Sequence, residues 1–197
     1  VTELVMRERE LERIVGERDE YARALKEAND QLARLSETDA LTGIANRRQF
    51  DRRLSEEVRR AQRHQTPLAL VMIDVDHFKR YNDLHGHPAG DRCLREIATI
   101  LRQCTQRAAD LAARYGGEEF ALLLPHTGPV EAYAIAKRCA EAVAHVGLPH
   151  GDSPDDANVT LSMGLSMASP DQPPLDAEAL LHEADHALYL AKKGGRN

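Results

Sequence analysis

Apolar residues return every seven positions over the first 35 residues. Leu4, Leu11, Arg18, Leu25 and Leu32 fall on one seam and Arg7, Ile14, Tyr21, Ala28 and Leu35 on the other, with no proline between them. A heptad repeat held this long predicts a coiled coil over residues 1–35, which needs a partner and finds it most simply in a second copy. Arg7 and Arg18 weaken the seam and serve register instead. The alternative is a lone helix folded back on a globular body, but at about 1.5 Å per residue such a helix would overhang a small domain. The repeat is already running at Val1, so the chain reads as part of a longer protein with an upstream portion.

The period changes after residue 35. Ser36 to Arg48 carries Gly43 and several capping residues, and Asn46 with Gln49 three positions on predicts a helix N-terminus. Phe50, Leu54, Val58 and Ala61 then recur at helical spacing. Leu68 to Ile73 is apolar throughout, as a strand covered on both faces would be, and it ends in Asp74-Val75-Asp76. A polar stretch from His77 to Asp91 precedes a helix whose core side is Leu94, Ile97, Ala98 and Leu101. Two apolar runs, Asp110 to Ala113 and Phe120 to Leu124, flank Arg114-Tyr115-Gly116-Gly117-Glu118-Glu119 and predict a hairpin turning on the glycine pair. Val130, Tyr133, Ala134, Lys137 and Val143 outline a further helix, and His150 to Asp156 reads as a surface loop. Val159 to Ser166 alternates like a strand, and Asp176 to Lys193 closes the chain as a helix buried through Leu180, Leu181, Ala184, Leu188 and Ala191. The expected fold class is α/β, a mixed central sheet flanked by helices over residues 36–197, with acidic groups at strand ends.

Composition narrows the functional classes. A net charge of −6 excludes a general nucleic-acid binder, which needs a basic face, although a local basic pocket is compatible with it. No apolar run reaches the roughly 20 residues of a membrane span, and no secretory signal opens the chain, so the expected location is cytoplasmic without direct membrane insertion. Cys93, Cys104 and Cys139 are odd in number and each lies in a helical pattern, which suits buried thiols.

The chemistry concentrates in two carboxylate groups, Asp74/Asp76 and Glu118/Glu119. They would converge if the Asp74 strand lay beside the hairpin. Hard oxygen ligands without a Cys or His pattern favour Mg²⁺ or Mn²⁺, ions held by one or two carboxylates plus substrate phosphates. Lys79, Lys192 and Arg196 supply cations for those phosphates, while the basic C-terminal run also suits a helix end favouring positive charge.

Five blocks of the chain resemble the GGDEF diguanylate cyclases. They are Asp39-Ala40-Leu41-Thr42-Gly43 through Asn46-Arg47-Arg48; Asp74-Val75-Asp76 with Phe78-Lys79 and Asn82-Asp83; Gly86-His87 with Gly90-Asp91; Gly116-Gly117-Glu118-Glu119-Phe120, the Glu-Glu form of the signature; and Ala184-Asp185 with Ala187-Leu188-Tyr189 and Ala191-Lys192 to Gly195-Arg196-Asn197. The resemblance implies a fold related to the adenylate cyclase and polymerase palm domains, and condensation of two GTP into cyclic di-GMP with release of two pyrophosphates. It implies two Mg²⁺ or Mn²⁺ per half-site on Asp74, Glu118 and the Val75 carbonyl, with Glu119 assisting. Gly116 and Gly117 would lie along the phosphates, Lys79, Lys192 and Arg196 would meet them, and Asn82 and Asp91 would read guanine, with Phe78 and His87 in the substrate site. Arg107 and Asp110 stand where the family has its product-binding inhibitory motif, with Arg138 as a further partner. The resemblance also gives the N-terminal helices a use: as a homodimer they would present two half-sites and relay a signal from an upstream sensor. The alternative is a catalytically silent domain that binds GTP or cyclic di-GMP as a sensor.

Overall fold

The computed structural model describes residues 15, 16, 18, 20, 21, 23, 26, 37–151, 153, 157–170 and 176–195. The chain divides into two compact units, Val1–Glu37 and Thr38–Asn197. In the first, Arg18 and Tyr21 are helical and exposed; the other heptad positions, and so the coiled coil, lie outside the described residues.

The second unit runs β1 (Ala45–Asn46), α1 (Arg47–His64), β2 (Leu68–Val75), α2 (Phe78–His85), α3 (His87–Cys104), β3 (Leu111–Gly116), β4 (Glu119–Pro125), α4 (Pro129–Val146), β5 (Leu161–Ala168) and α5 (Ala177–Lys193). The five strands form one mixed sheet in the order β1-β3-β4-β2-β5, in which only β1 and β3 run parallel. No helix among the described residues is long and apolar enough to cross a membrane.

Strand β2 is buried along its whole length. Ala69, Val71, Ile73 and Val75 face a core shared with α2, α3 and α4, whereas Leu68, Leu70 and Met72 face a second core shared with α1 and α5. Successive strand side chains point to opposite faces, so Asp74 belongs to the α5 side. That alternation decides which cation it meets. Asp76, just past the strand, accepts hydrogen bonds from the hydroxyls of Thr160 (2.8 Å) and Ser162 (2.6 Å), which fasten the end of β2 to the start of β5.

Several expectations hold in detail. The Asn46 side chain caps α1 by accepting from the Gln49 N–H at 3.0 Å, and Phe50, Leu54, Val58 and Ala61 are buried. All three cysteines are buried free thiols. Others need correction. In α4, Val130 and Tyr133 are 83% and 66% exposed, and the buried face is Ala132, Ile135, Ala136, Cys139 and Val143. An alanine-rich helix is apolar over most of its circumference, so its pattern does not single out one face. Strand β5 lies two residues later than expected, and the loop residue His150 is buried.

Helix α5 approaches β5 closely because Gly164 has no side chain. A Cβ there would stand 2.2 Å from both the Ala184 carbonyl oxygen and the Leu188 nitrogen, which are backbone atoms that cannot swing aside. Gly164→Ala should therefore lower stability by about 2 kcal/mol or more, read as a shifted denaturant midpoint; an unchanged midpoint would show that α5 can retreat without cost.

Candidate active site

Strands β2 and β4 pair antiparallel with Asp74 directly opposite Glu119, and the Val75 N–H donates to the Glu118 carbonyl at 3.3 Å. Residues more than forty positions apart in sequence thus bring Asp74, Val75, Glu118 and Glu119 to one sheet end. From the α5 side the Lys192 ammonium reaches the Asp74 carboxylate at 2.8 Å. The pairing does not fully offset the cost of concentrating negative charge. Burial, together with Glu118 and Asp76, pushes the Asp74 carboxyl up despite Lys192, and burial with Asp74, Asp185 and Glu118 pushes Glu119 up. Like charges that raise each other's pKa are what a dication relieves.

Among the described residues no group of three or more His, Cys, Asp or Glu side chains forms a cage for a metal ion. Mg²⁺ is commonly held by one or two carboxylates together with waters and substrate phosphates. Asp74 and Glu118 fit such an ion, with Glu119 beside them.

The turn above them differs by one residue from the expected hairpin. β3 runs through Gly116, which pairs with Glu119 after a register irregularity, so the turn residues are Gly117 and Glu118. Gly117 has φ +53°, a conformation glycine adopts without strain. Arg114 fixes this turn: its Nε and Nη2 donate to the Gly117 carbonyl at 2.9 and 2.7 Å, while Nη1 reaches the Asp39 carboxylate at 3.1 Å. Asp39 also accepts from the Thr42 N–H (2.9 Å) and hydroxyl (2.7 Å). One guanidinium therefore joins the Asp39–Gly43 turn to the signature turn. Sequence reading gave Arg114 and Asp39 no role, although Asp39 opens the first family block and Arg114 stands two residues before the signature.

The remaining candidates fall in three places. Phe78, Lys79 and Asn82 lie on α2: Phe78 is buried against Tyr81 with ring centroids 6.1 Å apart, and Lys79 is exposed. The Asn82 Oδ1 is buried without a hydrogen-bond partner. His87 and Asp91 lie in the first turns of α3, exposed and half-buried. Arg196 lies outside the described residues.

Arg107, Asp110 and Arg138 gather at the other end of β3. The six residues of β3 separate this group from the signature turn by about 20 Å at ~3.3 Å per residue. A tight turn over Ala108 and Ala109, closed by the Asp110 N–H on the Arg107 carbonyl at 3.0 Å, brings Arg107 and Asp110 together as expected. Arg138 donates to the Cys104 carbonyl at 2.8 Å, and its charge acts on the Asp110 carboxyl, which burial pushes up. Asp110 Oδ1, like Asn82 Oδ1, is buried with no hydrogen-bond partner. The Arg107 guanidinium pairs with Glu131 and also donates to the Thr127 hydroxyl at 3.3 Å.

A cavity of about 770 Å³ opens elsewhere, between α4, β5 and the end of α5, lined by Tyr133, Ala136, Ala140, Met163 and Leu165. Its charged members, Lys137 and Glu141, pair with each other at 3.6 Å, so it offers no convergent charge and the carboxylate cluster is the better site.

Comparison with known proteins agrees with this geometry. The family model described as "Diguanylate cyclase, GGDEF domain" matches residues 36–197. The response regulator PleD of Caulobacter vibrioides is 39% identical over 183 residues, covering 92% of this chain and 39% of PleD. Diguanylate cyclase A of Treponema denticola is 38% identical over 172 residues, covering 86% of this chain and 45% of that protein. The chain thus spans less than half the length of these curated relatives. A crystal structure of the coiled coil and GGDEF domain of DgcB from Caulobacter crescentus, in complex with c-di-GMP, superposes with a TM-score of 0.74 at 30% identity, covering 94% of this chain and 96% of that one.

The Asp39–Arg114 contact gives a pH test. Burial alone would raise the Asp39 carboxyl, but the Thr42 and Arg114 hydrogen bonds outweigh it and hold the pKa below the ordinary value. A depressed carboxyl contributes stability above its unfolded pKa and loses it as pH falls through the folded one. Asp39→Asn should cost about 1 kcal/mol at neutral pH, with the deficit closing below about pH 4; a deficit independent of pH would refute the charged contact.

Proposed function

This chain belongs to the GGDEF family of diguanylate cyclases, and we propose that it condenses two GTP into cyclic di-GMP, releasing two pyrophosphates. The observation that carries the reading is the meeting of Asp74, Glu118 and Glu119 at one sheet end, with Lys192 against Asp74.

Asp74, Glu118 and the Val75 carbonyl would hold two Mg²⁺ or Mn²⁺ per half-site, which when bound lower the pKa of the attacking 3′-hydroxyl and offset charge on the α-phosphate. Glu119 would assist at the metals or at the attacking hydroxyl. Gly116 and Gly117 leave the turn open to the phosphates, held there by Arg114. Lys79, Lys192 and Arg196 carry charge for the β- and γ-phosphates; Lys192 would exchange its Asp74 partner for phosphate when the site fills. Asn82 and Asp91 would read guanine, because a carboxylate accepts from the N1 and N2 donors that adenine does not offer in that arrangement. The Asn82 Oδ1 is buried against Gly90, on the helix that carries Asp91, and Phe78 and His87 would border the base.

One domain supplies one half-site, so turnover needs two copies facing each other. Residues 1–35 would form the homodimeric coiled coil that presents residues 36–197 in pairs and relays a signal from an upstream sensor, in the cytoplasm. The heptad seam and the coiled coil named in the DgcB structure support that arrangement. Arg107, Asp110 and Arg138 would bind cyclic di-GMP as an inhibitory site, and the unpartnered Asp110 Oδ1 is an acceptor suited to guanine donors.

Incubating the protein with GTP and Mg²⁺ and resolving the products tests the activity. Cyclic di-GMP should accumulate, chelation should stop it, and Asp74→Ala or Glu118→Ala should reduce it by roughly a hundredfold or more with the fold retained; GTP left intact by the wild type would end the reading. For feedback, Arg107→Ala should raise the cyclic di-GMP concentration giving half inhibition by about tenfold or more, and equal sensitivity of variant and wild type would remove the inhibitory assignment.

A further inference from the structure

Beyond the carboxylate cluster, His77, Tyr81, His85 and His150 form a polar–aromatic group around α2, and none of the four has a part in the chemistry above. His150 follows α4 in the chain and is 1% exposed. Its ring Nε2 lies 3.1 Å from the His77 carbonyl oxygen, and the Nε2 of His85 lies 2.7 Å from the His150 carbonyl oxygen. Carbonyl oxygens only accept, so both Nε2 atoms carry their proton and donate. His77 immediately precedes α2 and His85 ends it, so one residue grips the helix at both ends.

The packing supports the same role. The Tyr81 ring sits 4.6 Å from that of His85 and 5.6 Å from that of His150, centroid to centroid. A Cβ on the next residue, Gly151, would come within 2.9 Å of the Leu84 side chain. His150 itself is anchored: its N–H donates to the Ala157 carbonyl at 2.9 Å, and the Val159 N–H donates to the Leu148 carbonyl at 2.8 Å. His77 has φ +53°, a left-handed conformation that a non-glycine residue keeps only when neighbours hold it. Its carbonyl receives the His150 ring and also the Tyr81 N–H of the first helical turn, at 3.1 Å.

We propose that His150 is a positioning residue for the nucleotide: by holding both ends of α2 it fixes where Lys79 and Asn82 stand relative to Asp74. The proposal rests on the reading of Lys79 and Asn82 as nucleotide contacts. His150 acts on them through the backbone of α2, at the His77 carbonyl and through its own carbonyl on His85.

Three variants of the full chain test it: His150→Ala, His150→Gln, whose amide N–H can reach the His77 carbonyl, and His85→Phe, which keeps ring packing and loses one bond. Hydrogen exchange over residues 78–85 reads the clasp without reference to catalysis. Affinity for a non-hydrolysable GTP analogue with Mg²⁺, measured beside kcat, reads its consequence. His150→Ala should speed exchange in α2 and weaken the analogue by about tenfold while kcat changes by less than about threefold, and His150→Gln should restore both. His85→Phe should shift both readouts in the same direction by a smaller factor, and it stands in should the alanine variant not fold. Unchanged exchange, faster exchange with unchanged affinity, or a glutamine variant as impaired as the alanine one would each overturn the proposal. A wild type that binds the analogue without turning over GTP would overturn the cyclase reading alone and leave the clasp to be judged by exchange and affinity.

Discussion

Negative charge at the end of the most buried strand is the constraint that the rest of this domain answers to. Strand β2 is apolar on both faces until Asp74, where a carboxylate stands opposite Glu119 and within the field of Glu118. In a low-dielectric setting such groups repel strongly, and among the described residues the cation in contact with Asp74 is Lys192 of α5, a helix that lies close against β5 over Gly164. The second acid at that strand end, Asp76, is satisfied by Thr160 and Ser162 and so is occupied with structure. Packing of α5, pairing of β2 with β4, and the hydroxyl-bearing start of β5 are therefore three parts of one solution. What remains uncompensated is negative charge, which a bound cation would relieve.

The same sheet gives the domain two polar ends joined by β3. At one end Arg114 shapes the signature turn, and at the other a tight turn sets Arg107 against Asp110. In each place an arginine already has protein partners, Gly117 and Asp39 in the first case, Glu131 and Thr127 in the second. The two arginines differ in burial. Arg114 is largely enclosed with a bidentate grip on a carbonyl, whereas Arg107 and Glu131 are each about half exposed, so their ion pair is screened and weak. A ligand phosphate can displace the second pair far more readily than anything can displace the first.

Much of this was legible in the residues. The strand at Leu68 to Ile73, the cap at Asn46 and the buried faces of α1, α3 and α5 follow from periodicity and capping chemistry that tertiary contacts did not override. Five blocks in order and spacing identified the family, which the matched region 36–197 bears out. What escaped reading shares a cause: it depends on long-range partners. Two-residue β1 has no pattern of its own and exists because Ala45 and Asn46 pair with Ala113 and Arg114. His150 sits among Gly, Pro and Asp and reads as solvated, yet α2, more than sixty positions earlier, encloses it. The hairpin turn is the exception: it lies one residue on, where the ladder shifts register after Arg114 and the Arg114 side chain takes the Gly117 carbonyl only three positions away.

Every member of the Asp39–Arg114 contact lies within the unit that starts at Thr38. The contact that shapes the signature turn is therefore made inside the unit that begins at Thr38. This makes the unit portable. A gene fusion that joins a foreign segment at or before residue 37 delivers the turn with its arginine already clamped, while one that cuts in at Ala45 keeps all the principal strands and helices and loses the clamp. A junction of the second kind leaves the Arg114 guanidinium on the Gly117 carbonyl without its carboxylate partner, so the signature turn is gripped from one side only.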